Sequence, residues 1–528
     1  MDQFLSKHAN AVTGTLSGFD RLVFRGTLRQ LAHSAGIMSY LWAVRVLLKD
    51  FASHAEALTR RLKESSEALA KRTGRPLRYL ASGGISKEPI AREIARTDGV
   101  TKGLICILTA VEPCLSYELV RDREAKRLRL LPRHRKCLFL YHYHIHPIFG
   151  FMHARIQTWF PFSIQICLNG REWLARAMDT AGIGYVQREN CFTWIEDPKR
   201  AQRLMDTQVT AAWPALLDSI ARGLNPLHDE MFQACPVEYY WTTHQSEWAT
   251  DILFRDTKSL AHLYPKLVRH GLTTFLSPDV MRFLGRNIPA TGNISPLLKA
   301  EVASDMKTRP EGVRIKHRLG ENSIKMYDKQ GSVLRVETTV NDAAGFKTFR
   351  TPEGKPEADM SWHRMRKGIA DLHRRAEISR AANDRYLAAL ASVDDTATLG
   401  ELTAKLCRPV KRDGRRARAL NPNAPADARL LEAIGRGEFT INGFRNRDLR
   451  LLLFADAKAS NAEQRRHAAA VSRLLALLRA HRLIRKVSGT HRYHLSDRGR
   501  IIVTTLISVR NIGTDKLMKL AAYTPLTR

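Results

Sequence analysis

The chain has 528 residues, 44 % hydrophobic and 26 % charged, an ordinary globular balance that excludes wholesale disorder and leaves room for several structural units. Its 85 Lys and Arg against 52 Asp and Glu give a net charge of +33, which points to a polyanionic partner; nucleic acid is the expectation, because phosphates neutralised by cationic side chains release their counterions. Seven cysteines without a Cys-x-x-Cys pair offer neither a zinc knuckle nor a disulfide framework, and the lack of a signal peptide or of about 18 consecutive apolar residues predicts a cytoplasmic protein with no membrane partner.

Residues 1–100 read as a mixed α/β region, with a short strand at FDRLVFRG (19–26) and a helix over 47–74 that ends at a glycine. Residues 101–200 read as a strand-rich domain: GLICILTAVE, KCLFLYHYHIH, FMHARIQTWF and FSIQICL are dense in β-branched and aromatic residues. Within it, NGREWLARAMDTAGI predicts one helix with an asparagine cap. Residues 201–300 read as helical, with starts at DPKR (197–200) and SPDVMRFLGR (277–286). Residues 301–407 combine a three-stranded meander, punctuated by GEN and DKQG turns, with a long basic helix over 361–392. An Arg-, Pro- and Asn-rich linker over 408–427 then leads to a terminal domain at 428–528. The predicted fold is α+β and multidomain, with an antiparallel-sheet core and helical segments.

In YHYHIHPIFGF (141–151) the histidines recur at every second position, so His142, His144 and His146 share one strand face. A hairpin through PIFGF would bring His153, Arg155 and Gln157 beside them as a nucleic-acid-binding patch. His144-Ile145-His146 resembles the His-hydrophobic-His motif of HUH endonucleases. The resemblance implies a divalent metal, Mg or Mn, that polarises a scissile phosphate while a tyrosine attacks. A third ligand is usual in that family, with Glu112 the first candidate and His142 the second. Histidines that simply donate to phosphates, or that are satisfied inside the fold, are the alternatives.

In the meander (312–340), Arg314, Lys316, Arg318, Lys325, Tyr327, Arg335, Glu337 and Thr339 fall on one face and apolar residues on the other, which predicts a half-buried sheet with a cationic outside suited to phosphates, Lys329 beside it. IKMYDKQGSVLRVETTV is similar to part of some rolling-circle replication initiators. That likeness implies Tyr327 as nucleophile, Lys325 or Lys329 lowering its pKa, and Glu337 orienting a cation or a base. Tyr239, Tyr240 and Tyr386 are competing tyrosines. A carboxylate-only site is a further possibility, built from Asp20, Glu112, Glu247 and Asp251, with Glu247 and Asp251 one helical turn apart.

From residue 408 onward there are 26 basic and nine acidic side chains, a local +17. The order of a helix at 428–436, FRNRDLRLLLF, the helix 463–484 and the hairpin RKVSGTHRYHL resembles winged helix-turn-helix domains. This resemblance implies a reading helix carrying Arg465, Arg466, Ser472 and Arg473, and a wing carrying Lys486, Thr490, His491 and Arg492. The expected function is a nucleic-acid-binding protein of a mobile element or replication system that nicks a single strand, with DNA favoured over RNA. The alternative is a non-catalytic regulator or ribonucleoprotein subunit that uses the same basic faces.

Overall fold

The computed structural model describes residues 1–275, 277–285, 301–309, 312–352, 357–392, 399–412, 414–436, 439, 443–454, 460–487 and 490–510. Among these, eleven strands join in one sheet. In chain order they are β1 (Val12–Leu28), β2 (Leu77–Leu80), β3 (Gly103–Asp122), β4 (Arg127–His146), β5 (Gly150–Gln157) and β6 (Ile164–Asn169). After the separate hairpin β7 (Tyr185–Arg188) and β8 (Cys191–Ile195) come β9 (Tyr239–Phe254), β10 (Val302–Arg309), β11 (Gly312–Leu319), β12 (Asn322–Lys329) and β13 (Val333–Val340). The sheet runs β10-β11-β12-β13-β9-β1-β6-β5-β4-β3-β2, antiparallel at every step except β2 with β3.

Expectation and structure part in the middle of the chain. YYWTTHQSEWATDILF lies in the region read as helical, yet it forms the long central strand β9, because its aromatic and β-branched residues pair with β1 on one side and β13 on the other. Glu247 and Asp251 therefore share a strand face, not a helical turn. The meander forms as predicted and gains β10 at its outer edge. Its cationic outside is corrected: every residue of β13 is buried, since both sheet faces are covered. The predicted helix over 361–392 begins only at Leu372, and 361–364 form a strand instead.

Helices cover both faces. Helices α2 (Ser34–Ala43), α3 (Phe51–Thr73), α7 (Trp213–Leu224) and α8 (His228–Met231) join Leu140, Met152 and Ala154 in one apolar cluster, whereas α4 (Lys87–Thr97) packs against Phe139, Tyr141 and Tyr143 on the opposite side of β4, and α5 (Gly170–Ala181) and α6 (Pro198–Thr210) pack against Leu16, Leu253 and Val333. The second half is covered by α1 (Asp2–Lys7), α9 (Thr257–Thr273), α10 (Ser277–Phe283) and α11 (Leu372–Leu390), around Ile252, Leu334 and Val336. Buried Asn383 of α11 donates to the carbonyls of Trp248 on β9 (3.1 Å) and Val336 on β13 (3.0 Å), tying the helix to two strands. A small hairpin, β14 (Lys347–Arg350) with β15 (Ser361–Arg364), follows β13 directly.

Beyond α12 (Leu399–Ala404), a terminal unit has its own apolar core, from Leu406 to Leu506. The segment read as a linker contains the hairpin β16 (Val410–Arg412) and β17 (Arg415–Ala417) and contributes Leu420 to that core. Then come α13 (Pro425–Ile434), a bridge from Phe444 to Tyr493, α14 (Asn446–Phe454), α15 (Asn461–Ala480), β18 (Ile484–Lys486), β19 (Tyr493–Leu495) and α16 (Asp497–Arg510).

The local signals in the sequence are accurate where they concern caps. Asn169 Oδ1 accepts from the amides of Arg171 (2.8 Å) and Glu172 (3.2 Å), which opens α5 where the sequence predicts it. Gly170 lets that helix start sit against β1, since a Cβ there would lie 1.8 Å from the Phe19 carbonyl oxygen. Gly170→Ala is expected to lower stability by roughly 2–3 kcal/mol, because backbone and not a pliable side chain blocks the added methyl; urea unfolding of the two proteins measures it.

Candidate functional site

The site begins with a defect in strand pairing. Phe19 faces Trp248 and Arg21 faces Glu247, so Asp20 has no partner on β9: it is the extra residue of a β-bulge, a device that re-aims a side chain. The bulge turns the Asp20 carboxylate toward the face on which β9 presents Glu247 and Asp251 and β13 presents Arg335 and Glu337. From β12, paired to β13 in register, Lys325 lies opposite Glu337 and Tyr327 opposite Arg335. Arg171, at the start of α5, and Asn190, in the β7–β8 turn, complete the group.

Two kinds of contact organise it. At the buried end, Arg335 grips Asp251 with both Nε (2.6 Å) and Nη2 (2.8 Å) and reaches Asp20 through Nη1 (3.1 Å). Arg171 donates to Asp251 from the other side (2.9 Å) and to the Ala249 carbonyl (3.1 Å). At the open end, the Tyr327 hydroxyl donates to Glu337 Oε2 (2.6 Å), and Lys325 Nζ bonds Glu337 Oε1 (2.6 Å) and Glu247 Oε1 (3.4 Å). Asp20, Glu247, Lys325, Tyr327 and Glu337 line a cavity of about 210 Å³. A second cavity of about 120 Å³, lined by Arg21, Glu88, Arg92 and His153 among others, shares Asp20, Asn190 and Glu247 with it.

The carboxyls divide by environment. Burial opposes the ionisation of Asp251, but Arg335 and Arg171 outweigh it and hold the group below the usual aspartate value. Burial is likewise outweighed at Glu337 by Lys325 and by the hydrogen bonds from Lys325 and Tyr327, so this carboxyl is also held down. Asp20 and Glu247 go the other way: burial pushes Asp20 up despite Arg335, and burial with the neighbouring Glu337 pushes Glu247 up despite Lys325. Tyr327 is raised well above an ordinary phenol by burial and by Glu337, so Lys325 and Lys329 do not lower its pKa as expected. Lys325 instead orients the acceptor of the tyrosine proton. Asp20, Glu247 and Glu337 each offer an oxygen within 4.8 Å of the others and form the one group among the described residues with the spacing to hold a metal ion.

The histidine strand assembles differently from expectation. The hairpin β4–β5 forms, but its register sets Tyr143 opposite His153 and His144 opposite Met152. His153 and Arg155 therefore share a face with Tyr141 and Tyr143, and the four-histidine patch does not form. Glu112 pairs with Cys137 whereas His144 pairs with Leu104, seven strand positions apart or about 23 Å. Glu112 is occupied elsewhere, by Lys87 (2.8 Å), Tyr141 (2.7 Å) and Arg155 (2.9 Å). His142 is buried against Ser66 (3.2 Å), and burial pushes its pKa down to about 3 and that of His144 down to about 4. His146 Nδ1 accepts from the amide of Ile148 (3.2 Å), and its ring stacks on Phe149, so it closes the turn of the hairpin. Among the described residues no third ligand accompanies His144 and His146.

Several expected phosphate contacts are corrected by burial. Arg335 is fully buried in its ion pairs, and buried Gln157 donates to the Phe160 carbonyl (3.0 Å), so neither offers a surface. His153 packs tilted against the Tyr143 ring, and burial pushes its pKa down to about 3. Arg314 is paired with Asp305 (3.0 Å), which Arg318 also approaches (3.8 Å), and Lys329 is buried beside Glu189 (3.7 Å). Lys316 is half-buried, and burial lowers its pKa. In the terminal unit Arg465, Arg466, Ser472, Arg473, Lys486, Thr490 and His491 are exposed and Arg492 partly so. Arg171 and Asn190 carry no functional signal in the sequence, because a capped helix start and a turn residue signal local structure only. Of the competing tyrosines, Tyr386 is buried against His317 and Tyr239 against Trp241, and Arg29 lies over the Tyr240 ring.

Arg335→Met is expected to cost roughly 3–5 kcal/mol in urea unfolding at neutral pH, because it strands Asp251 and Asp20 without their main counter-charge. Asp251→Asn carries the sign of its depressed pKa. The wild-type carboxylate stabilises the fold above its unfolded value of 3.8, and this contribution is lost as pH falls through the lower folded value, so the gap between the two proteins narrows in that window.

Comparison with protein-family models, with curated proteins and with solved structures finds no match for this chain.

Proposed function

We propose that this protein binds nucleic acid and breaks a phosphodiester at the Tyr327 pocket. One observation carries the chemical reading: Tyr327 Oη, Glu337 and Lys325 form a chain of two 2.6 Å hydrogen bonds, the geometry of a nucleophile held by a base that a third group orients. Glu337, kept ionised, takes the phenolic proton as Tyr327 Oη bonds to phosphorus. The departing sugar oxygen takes a proton from Glu247, whose carboxyl is pushed the opposite way; such a divided pair is how one site supplies both base and acid. The product is a phosphotyrosine link and a strand with a free hydroxyl. As an alternative to that acid–base pairing, the all-oxygen set of Asp20, Glu247 and Glu337 would suit a hard divalent cation such as Mg²⁺ or Mn²⁺ better than the histidine strand does; Glu247 and Glu337 would then serve as its ionised ligands in place of their bonds to Lys325.

Binding is supported by the terminal unit. The order α13, Phe444 bridge, α14, α15, β18, β19 follows that of winged helix-turn-helix domains, and the expected contact residues of α15 and of the β18–β19 hairpin face solvent. Beside α15, a cleft of about 880 Å³ is lined by Arg412, Arg416, Arg418, Arg473 and Arg479 over an alanine- and leucine-rich floor, with no carboxylate among the described residues of its lining. A non-catalytic binder is the second reading, favoured by the degree to which Arg335 and Arg171 already neutralise the buried carboxylates.

Incubation with labelled single-stranded DNA and Mg²⁺ or Mn²⁺ is expected to give a denaturant-resistant adduct that Tyr327→Phe abolishes and Glu337→Gln reduces. Cleavage without an adduct assigns the nucleophile to water, and binding without cleavage in either metal selects the second reading. For the cleft, Arg416→Gln combined with Arg473→Gln is expected to flatten the slope of log affinity against log salt by about 2, one unit per lost phosphate contact; an unchanged slope removes the cleft from the interface.

A further inference from the structure

The β14–β15 hairpin carries a feature that neither the Tyr327 pocket nor the terminal unit uses. Phe349 and Trp362 are cross-strand partners, 47 % and 59 % exposed, with ring centroids 5.4 Å apart. Two large aromatics paired and exposed on one face of a hairpin form a local apolar patch, a kind of surface that stacking ligands use. The opposite face of the hairpin is anchored. Thr348 is buried, and flanking Phe346 and Met365 pack with Val340, Ala343 and Ile378, while the Met365 amide donates to the Phe346 carbonyl (2.9 Å). The aromatic face is thus held out by a fixed scaffold that continues directly from β13, the strand of Arg335 and Glu337.

The surroundings are cationic. The Arg374 guanidinium lies 5.8 Å from the Trp362 ring centroid, and Lys347 and Arg364, paired across the hairpin, are exposed. A cavity of about 480 Å³ at the edge of the hairpin is lined by Arg350, Pro352, His363, Arg364 and Arg366. Of the described acids nearby, Asp371 lies under Arg350 (3.2 Å) and Glu377 pairs with Arg374 (2.7 Å), while Glu357 and Asp359, in the connection between β14 and β15, are exposed. Exposed rings interleaved with arginines match the two halves of an unpaired polynucleotide, flat bases and anionic links. A duplex fits poorly, because its bases are stacked on one another and their faces are not available.

We infer that the β14–β15 hairpin is a binding platform for single-stranded nucleic acid, with bases stacked on Trp362 and Phe349 and the backbone phosphates on Lys347 and Arg364 of the same face. This rests on the nucleic-acid reading above and narrows its substrate to an unpaired strand that is handed to the neighbouring strands of the sheet.

The test uses the full chain, a fluorescent oligothymidine of about twelve nucleotides and a labelled duplex, read by anisotropy at low salt. Trp362→Ala is expected to weaken oligothymidine binding about ten-fold, Phe349→Ala to weaken it less, and Trp362→Phe to retain most of it, with duplex affinity unchanged in all three. Equal affinity of Trp362→Ala and wild type for oligothymidine overturns the platform. So does a wild type that binds the duplex and not the oligothymidine, which leaves the nucleic-acid reading intact. A wild type that binds neither removes both. If Trp362→Ala loses binding to phosphatidylserine vesicles and keeps oligothymidine, the surface belongs to a lipid headgroup instead.

Discussion

The architecture turns on one buried ionic contact, the double hydrogen bond from Arg335 to Asp251, extended by Arg171 and Asp20. Each of these charges would be costly alone in the interior, and the group is tolerable only because every member has an opposite partner at hydrogen-bonding distance. The partners come from four places in the chain: the bulge of β1, the middle of β9, β13 and the first turn of α5. Satisfying them therefore sets how the two halves of the sheet join. A slip of one residue between β9 and β13 would send Arg335 or Asp251 to the opposite, apolar face.

That same contact creates the pocket next to it. With Asp251 and Asp20 engaged by arginines, Glu337 and Glu247 are left to share a single lysine, and their carboxyls are pushed in opposite directions. Ala249 lies opposite Glu337 on β9, a small residue where a larger one would meet the cluster. The opposite displacement of the two carboxyls thus follows from burying an unequal number of charges on one sheet face. Tyr327 is poised by its acceptor and not by its own acidity, which makes proton removal part of any attack it performs.

Around this centre the cationic surplus is distributed unevenly. Much of what looks like a phosphate-binding face in the meander is consumed internally, by Asp20, Asp251, Asp305, Glu247 and Glu337. Arginines also gather in two clefts elsewhere, beside α15 in the terminal unit and at the β14–β15 hairpin, where Arg418 pairs with Asp427 and Arg350 with Asp371. Charge counted along a sequence thus overstates the binding surface wherever carboxylates from distant strands claim it first.

What the sequence alone determined is what depends on neighbours in the chain. The meander strands are legible from alternation and their GEN and DKQG turns, the start of α5 from its asparagine cap, the start of α6 from Asp197-Pro198, and the β4–β5 hairpin from two aromatic strands around PIFGF. Tyr327, Lys325 and Glu337 are likewise legible as a group, because paired strands joined by a short turn keep their residues close. The tertiary structure alone decided the rest. Tyr239–Phe254 became a central strand because β1, more than 200 residues earlier, and β13 supply its partners, and only that pairing makes Asp20 a bulge and brings it to Glu247. Likewise the register of β3 on β4, invisible in either segment, separates Glu112 from the histidines. The physical reason is common to both: side-chain direction in a strand is local, but which charges meet across a sheet depends on register between segments that do not adjoin in sequence.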